Sequence, residues 1–158
     1  LELTDEQWHD GFELKFHGAM RCSRAAWPHL MQTGGVIVNI AGVGGRTGSA
    51  EFAIGGAVNA ALMNLTKVLA DRGIRDGVRV NAINPGGIRT ERLETRIQAL
   101  AREQQLAPDE AAARMAQRLG TASFGTPLDI ARTVAFIASN RYMQGSIVDV
   151  DGGQTRTM

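Results

Sequence analysis

The apolar positions along the chain follow two periods in turn, which predicts helices that alternate with strands. Near the start, apolar residues recur at helical spacing at Trp8, Phe12, Phe16, Ala19 and Met20. Thr4 and Gln7 form a capping-box pattern where this helix begins. We expect the helix to run to about Trp27 and to stop near Pro28, because the residue before a proline disfavours helical geometry.

A largely β-branched run over Val36–Ile40 predicts a strand that is covered on both faces. The elements predicted after it are a helix over 51–72, a strand over 78–83, helical material over 91–119 interrupted near Pro108, a helix that begins at Thr126 and Pro127, and a strand over 146–150. Helices and strands in this order are typical of an α/β fold with a parallel sheet. No repeat, low-complexity tract or linker interrupts the pattern, so we predict one domain over residues 1–158.

Composition and charge narrow the classes of partner. The chain has 17 basic and 16 acidic residues and a formal net charge of +1, so we expect neither nucleic acid nor a membrane as a partner. No apolar run approaches the roughly 20 residues of a membrane-spanning helix. The single cysteine, Cys22, fits a reducing cytoplasm, and we expect it to be a small buried residue on a helix. His9, His17 and His29 lack metal-ligand spacing, so we assign no metal.

A glycine-rich segment over residues 42–48 lies between a predicted strand and a predicted helix. That context suits a phosphate-binding loop, but the G-x-G-x-x-G pattern fails at Thr47, and no Gly-Lys-Ser/Thr sequence follows. The alternative is a flexible connection that uses glycine for unusual backbone angles. We expect Arg46, Ser49 and Glu51, in and after this segment, to be solvated residues.

Several blocks of sequence together resemble the C-terminal part of the short-chain dehydrogenase/reductase family. They are residues 34–40 (GGVIVNI), 59–62 (NAAL), 80–90 (VNAINPGGIRT), 125–127 (GTP) and 150–153 (VDGG). The resemblance covers nearly all 158 residues. It implies a Rossmann-like parallel sheet flanked by helices, with only the C-terminal part of the doubly wound domain present. It also implies an NAD(P)-dependent oxidoreductase that acts on a carbonyl or alcohol substrate.

The resemblance assigns four catalytic positions, at which the family uses Asn, Ser, Tyr and Lys. Aligned by their neighbours, these positions hold Lys15, Gly42, Gly55 and Asn59. Glycine supplies neither a phenol that exchanges a proton with the substrate oxygen nor a hydroxyl that holds this oxygen. We therefore expect little ordinary reductase activity. The competing function is a non-catalytic scaffold or partner subunit that keeps the family's assembly surfaces.

Two of the four positions are exchanged, because Lys15 stands where the family has Asn and Asn59 stands where it has Lys. In the family these residues come from neighbouring helices and communicate through a water. One hypothesis is that the amine remains in the pocket, within about 6 Å of the Asn59 amide. The alternative is that the exchange is a coincidence and Lys15 reaches solvent. A third possibility is a different reaction at Lys15, which borohydride trapping of a carbonyl compound would detect.

Pro85, Gly86, Ile88 and Thr90 follow a predicted strand where the family has its nicotinamide-contacting loop. By resemblance, the backbone around Ile88 faces the carboxamide of NAD or NADP, and the Thr90 hydroxyl bonds to the amide or to a phosphate. The alternative is a turn in which Thr90 caps the following helix. The family's substrate lid corresponds to residues 91–119, where alternating Arg and Glu residues favour a solvated helix face over an anion site.

The family's glycine-rich pyrophosphate loop has no counterpart among these residues. We therefore expect upstream residues or another chain to cover the edge of the strand Val36–Ile40. The resemblance implies a homo-oligomer, a dimer or a tetramer, assembled through the helices around residues 5–26 and 51–72 and through the last strand. The small-molecule substrate and the choice between NAD and NADP cannot be read from the sequence.

Overall fold

Three parallel strands form the sheet, in the order β1-β2-β3. In the computed structural model, which describes residues 2–156, β1 is Val36–Ile40, β2 is Arg79–Pro85 and β3 is Ile147–Val150. Val36 pairs with Arg79, and Ala82 pairs with Ile147. The parallel α/β fold predicted from the sequence is confirmed.

The helices follow the predicted order. They are α1 (Asp5–Phe12), α2 (Gly18–Thr33), α3 (Ala53–Asp76), α4 (Glu91–Gln104), α5 (Pro108–Arg118) and α6 (Pro127–Ser139). A π-helical segment, Glu13–His17, joins α1 to α2, and 3₁₀ turns cover Val43–Gly45 and Ala50–Phe52. The capping box predicted at Thr4 is present, and the helix predicted to begin at Thr126 also starts with a capping box, in which side chains and backbone amides satisfy each other.

The prediction that the first helix stops near Pro28 is wrong, because α2 continues to Thr33 and ends at Gly34 in the left-handed conformation. Pro28 lies on the exposed side of the helix, where water can satisfy the carbonyl that loses its partner. Tertiary contacts hold the last turns in place. The Trp27 indole donates to the Asp76 carboxylate over 2.8 Å, and Leu30 packs against a buried cluster of Ala70, Val78 and Val80.

Helix α3 is longer than predicted, since it ends at Gly77 in the left-handed conformation, beyond residue 72. By length and composition alone, the stretch Ala50–Asp76 is apolar enough to cross a membrane, a property that core helices of soluble proteins share. The expectation that no apolar segment reaches this length is therefore corrected. The buried residues of α3 include Val58, Leu62 and Ala70, and this helix contacts β1 and β2.

Two further features bear on the sequence predictions. Cys22 is exposed, which contradicts the prediction of a buried position, because the neighbouring Ser23 takes the inward-facing place on this turn of α2. Strand β1 pairs with β2 on one side, and no other described strand pairs with its second edge. Beside it, β2 is the most buried strand, with Val80, Ala82 and Ile83 fully shielded from solvent.

Candidate active site

Lys15 lies in the middle of the π-helical segment between α1 and α2. The backbone amide of Gly18 donates to the carbonyl of Glu13, five residues earlier, which is the hydrogen bond that defines a π turn. Short π segments of this kind occur frequently at functional sites. This one places a half-buried lysine over the end of β1.

The Lys15 ammonium donates to two neutral oxygens. Its Nζ lies 2.6 Å from Oδ1 of Asn59, which is on α3, and 2.7 Å from the carbonyl oxygen of Ala41, which follows β1. The predicted proximity of the amine to the Asn59 amide is confirmed, and the alternative that Lys15 reaches into solvent is wrong. The catalytic role of the pair stays a prediction.

Burial lowers the pKa of Lys15, because removing the ammonium from water disfavours its charged form. An ammonium has three N–H donors, and the two acceptors named above engage two of them. Among residues 2–156, Lys15 Nζ makes no other hydrogen bond. The third donor is therefore available to an oxygen of a bound molecule.

The orientation of the Asn59 amide follows from the same contact. Lysine can only donate, so the atom that faces Lys15 must be the oxygen Oδ1, and the nitrogen Nδ2 must face the other way. A Cβ atom built on Gly42 would lie 2.8 Å from this nitrogen. Within the described part of the chain, Nδ2 has no hydrogen-bond partner, although Asn59 is 4% exposed. The amide thus presents an unused donor beside Gly42.

A series of hydrogen bonds between polar groups holds the backbone of Gly42 in place. Its backbone N–H donates to Oδ1 of the fully buried Asn84, over 3.2 Å. Asn84 in turn donates to the Asp149 carboxylate over 2.9 Å, and Arg46 pairs with the same carboxylate oxygen over 2.9 Å. Arg46 is exposed, as expected of a solvated loop residue, and it pairs with Asp149 in addition. Sequence reasoning also missed Asn84 and Asp149, which face each other at the ends of neighbouring strands.

The position of the family's Tyr, Gly55, is covered by an aromatic ring. A Cβ atom on Gly55 would lie 2.1 Å from Cζ of Phe52, and one on Gly44 would lie 2.9 Å from the same ring. The Cβ position built on Gly44 is also 3.8 Å from Asn59 Nδ2, so the Phe52 ring lies close to the Lys15–Asn59 pair. Phe52 was not singled out from the sequence. Its signal is a spacing of three residues before Gly55, about one helical turn.

The glycine-rich segment is closely packed. A Cβ on Gly45 would lie 2.7 Å from the backbone nitrogen of Ala60, and one on Gly56 would lie 2.9 Å from the carbonyl oxygen of Gly44. These glycines allow the loop to approach α3, which does not fit the prediction of a flexible connection. A bound phosphate is not needed to explain them.

Pro85 is the last residue of β2, and Gly86, Ile88 and Thr90 follow beyond its carboxyl end, where ligands bind parallel sheets. Gly86 is bonded to β3 through the Val150 carbonyl. The carbonyl of Gly87 and the amide of Arg89 both bond to Gly125, in a parallel bridge centred on Ile88. In this pattern the N–H and C=O of Ile88 itself point away from Gly125. They can therefore serve a ligand with one donor and one acceptor, such as a carboxamide.

Thr90 occupies the N-cap of α4, but its side chain makes no capping hydrogen bond. The alternative in which its hydroxyl caps the helix is therefore wrong, although the residue stands at the N-cap by its backbone. The exposed hydroxyl is available to a ligand. Together with Ile88, it makes the loop compatible with the nicotinamide end of NAD or NADP.

No group of three or more His, Cys, Asp or Glu side chains suited to a metal ion occurs within residues 2–156. The chemistry that the site offers is instead that of hydrogen-bond and proton donors. A half-buried ammonium with a spare donor can hold and protonate an oxygen that gains negative charge.

Comparisons with known proteins agree with the family resemblance of the sequence. A family model described as enoyl-(acyl carrier protein) reductase matches residues 1–155. The 3-oxoacyl-[acyl-carrier-protein] reductase FabG of Staphylococcus aureus is 31% identical over 156 residues, which are 97% of this chain and 59% of the relative. The chain thus spans less than two thirds of the length of this relative.

Solved structures match as well. L-sorbose reductase from Gluconobacter frateurii, complexed with NADPH and L-sorbose, has a TM-score of 0.93 and 30% identity over 99% of this chain and 61% of that chain. A short-chain oxidoreductase from Pseudomonas aeruginosa, described as containing an atypical catalytic center, has a TM-score of 0.91 and 29% identity. That match covers 99% of this chain and 62% of the other.

Proposed function

Since the chain belongs to the short-chain dehydrogenase/reductase family, we propose that it is an NAD(P)-dependent oxidoreductase that acts on a carbonyl or alcohol substrate. The observation that carries the proposal is the contact between Lys15 Nζ and Asn59 Oδ1. The family's Asn and Lys have exchanged helices, and the site still contains an amine. An exchange that keeps both an amine and an amide in the site favours retained chemistry over decay.

Lys15 takes the part of the proton donor that the family assigns to Tyr. Its third N–H donates to the substrate oxygen, and its proton passes to that oxygen as the carbonyl is reduced to an alcohol. Bound NAD(P)H would supply the hydride. The depressed pKa of Lys15 makes it a stronger acid than an exposed lysine, which suits proton transfer closer to neutral pH.

The loop of Pro85, Gly86, Ile88 and Thr90 is proposed to bind the nicotinamide end of NAD or NADP. The outward-facing peptide groups of Ile88 and the unbonded hydroxyl of Thr90 support this assignment. L-sorbose reductase, which matches this chain with a TM-score of 0.93, is complexed with NADPH.

A non-catalytic scaffold or partner subunit is the second candidate function. The observation that favours it is the Phe52 ring over Gly55, because an apolar group fills the place of a catalytic phenol. A reaction through an imine on Lys15 is a third candidate. Mass analysis after incubation with a carbonyl compound and borohydride separates it from the others, since it alone leaves a reduced adduct on Lys15.

We also propose a cytoplasmic homo-oligomer, a dimer or a tetramer, assembled through the helices around residues 5–26 and 51–72 and through β3. Large exposed apolar side chains on these helices support the proposal, namely Leu14, Val68 and Ile74, which are 84%, 57% and 71% exposed. The single cysteine fits a reducing compartment. We propose no nucleic-acid or membrane partner.

The test uses the full-length gene product. We expect NADPH or NADH to bind in a fluorescence titration and to be oxidised in the presence of members of a panel of ketones and aldehydes. Oligomers that bind neither cofactor would overturn the proposal and favour the scaffold. Cofactor binding without turnover on any carbonyl or alcohol would also count against it.

A further inference from the structure

The Asn59 side chain has two ends with different tasks in this structure. Its oxygen is engaged by the Lys15 ammonium, and its nitrogen faces Gly42 with no partner among residues 2–156. An amide nitrogen carries two donors, and no described residue uses either of them, so both are available to a bound molecule. The nitrogen lies on the side of the site from which the family's Ser hydroxyl is missing.

Gly42 and Asn59 are sterically coupled. A Cβ at residue 42 would lie 2.8 Å from Nδ2, 3.4 Å from Cγ and 3.6 Å from Oδ1 of Asn59. Any side chain at residue 42 must therefore displace the amide, and displacement would also pull Oδ1 away from Lys15. The hydroxyl of a serine and the amide of Asn59 cannot both occupy this space.

We propose that the Asn59 amide N–H is the second donor to the substrate oxygen, in place of the missing serine hydroxyl, and that Gly42 is glycine to make room for it. The inference rests on the proposed function. The reacting oxygen belongs to a ketone or an aldehyde. It receives the proton from Lys15, and Asn59 donates a hydrogen bond without losing a proton.

The inference assigns Asn59 a catalytic role beyond holding Lys15. A donor aimed at a developing oxyanion contributes about 10²–10³-fold to the rate. The N59D variant keeps an acceptor for Lys15 and loses the amide donor. We expect N59D to lower kcat by at least about tenfold while the protein remains folded and binds the cofactor. Wild-type kcat in N59D would overturn the inference, since Asn59 would then only position Lys15.

The sharper test compares serine with alanine at residue 42 in two backgrounds. Gly42 has a φ of 158°, at the edge of the range that side chains avoid, and this backbone cost is common to both substitutions. In the Asn59 background we expect G42A and G42S to be similarly impaired. In the N59A background, where the space is free, we expect G42S to exceed G42A by about tenfold or more in kcat/KM. Equal activities in that background would overturn the inference.

The control within the same loop is G48A, because a Cβ at residue 48 meets no atom within 4 Å.

A second measurement does not depend on turnover. Benzoate presents a carboxylate oxygen to the two donors, Lys15 and Asn59. We expect the Kd of benzoate to rise at least about tenfold in N59D and in G42A. Among the double variants, we expect a lower Kd for G42S/N59A than for G42A/N59A. The opposite order would overturn the inference even in a protein without turnover.

The two proposals fail differently. Turnover of carbonyl compounds with equal effects of G42S and G42A in the N59A background would leave the proposed function standing and remove the Asn59 inference. Absence of turnover together with the expected order of benzoate affinities would support the donor and overturn the proposed function. All variants are compared in the full-length gene product, with thermal unfolding as the check on folding.

Discussion

Lys15 and Asn59 are 44 residues apart in the chain, yet Nζ of one and Oδ1 of the other are 2.6 Å apart in the structure. The family delivers the amine of this pair from the helix of Asn59, whereas this chain delivers it from the π-helical segment. The exchange keeps an amine and an amide as neighbours, and in this chain the two groups bond directly. It leaves the Asn59 nitrogen, in place of a lysine stem, beside Gly42.

Replacement of Lys15 by methionine should remove the proton donor while keeping a side chain of similar length. We expect K15M to lower kcat/KM for carbonyl reduction by about 10²–10⁴-fold. The matched control is K67M, because Lys67 is the one other lysine in the sequence and is exposed on α3. Steady-state kinetics of the full-length gene product measures both. Equal activity of the two variants would contradict the role of Lys15.

The pH dependence of the reaction should report the pKa of Lys15. Burial lowers this pKa below the usual lysine value of about 10.4. Reduction needs the ammonium, so its kcat should fall as pH rises through the lowered pKa, and oxidation of an alcohol should gain activity over the same range. A rate profile that is unchanged by K15M would contradict the assignment.

The same lowered pKa predicts a dependence of stability on pH. Between the pKa in the folded state and the higher value in the unfolded state, the unfolded chain binds more protons, so the free energy of unfolding should rise with pH. Below both values this contribution becomes constant. K15M should remove the slope. Thermal unfolding of the wild type and of K15M as a function of pH measures the difference.

Exchange of the two residues back to the family's arrangement should show coupling. N59K alone places a second ammonium beside Lys15 in a half-buried site, and K15N alone removes the donor to Asn59 and Ala41. We expect the double variant K15N/N59K to unfold at a higher temperature than N59K. The expected coupling free energy is roughly 0.5–3 kcal/mol. Additive effects of the two substitutions would contradict it.

Two N-cap threonines provide a matched test of the cofactor loop. Thr126 forms a capping box with Asp129, whereas the Thr90 side chain caps nothing. We expect T126V to lower the free energy of unfolding by about 1 kcal/mol without changing cofactor affinity. T90V should weaken binding of NAD(P)H and leave stability nearly unchanged. The reverse pattern in fluorescence titration and thermal unfolding would remove Thr90 from the cofactor site.

Phe52 and Gly55 should be energetically coupled as well. Alanine in place of glycine within a helix contributes roughly 0.5–1 kcal/mol of stability where space permits. A Cβ on Gly55 meets the Phe52 ring, so G55A must displace that ring. We expect the gain from G55A to be larger by about 1 kcal/mol in the F52A background. Equal gains in both backgrounds, measured by denaturant unfolding, would show that the ring does not occupy this place.

The order of the elements followed from the sequence because the period of apolar positions changes clearly between helices and strands. The length of α2 did not follow, since the Trp27–Asp76 hydrogen bond and the packing of Leu30 hold turns beyond Pro28. These contacts join distant segments and have no local signal. The exposure of Cys22 was also not predictable, because a rotation of about 100° around the helix axis decides whether Cys22 or Ser23 faces inward.

The candidate site was predictable in part. Alignment by flanking residues identified Lys15 and Asn59. Two hypotheses for Lys15 followed from the sequence, and the structure agrees with the one that places its amine beside the Asn59 amide. The orientation of the Asn59 amide depends on which of its atoms faces the ammonium, and this is visible only in the three-dimensional structure. The same is true of Phe52, whose ring reaches Gly44 and Gly55 from a 3₁₀ turn that sequence periodicity did not reveal.

The π-helical segment makes the position of the amine depend on the number of residues in the helix as well as on their identity. Consecutive residues of a regular α-helix are about 100° apart around its axis. Deletion of Phe16 or His17, with a return to regular α-helical bonding, would rotate Lys15 by about that angle relative to α2. A single-residue insertion or deletion therefore suffices to bring an amine into this site or to remove it, without any substitution at the four catalytic positions.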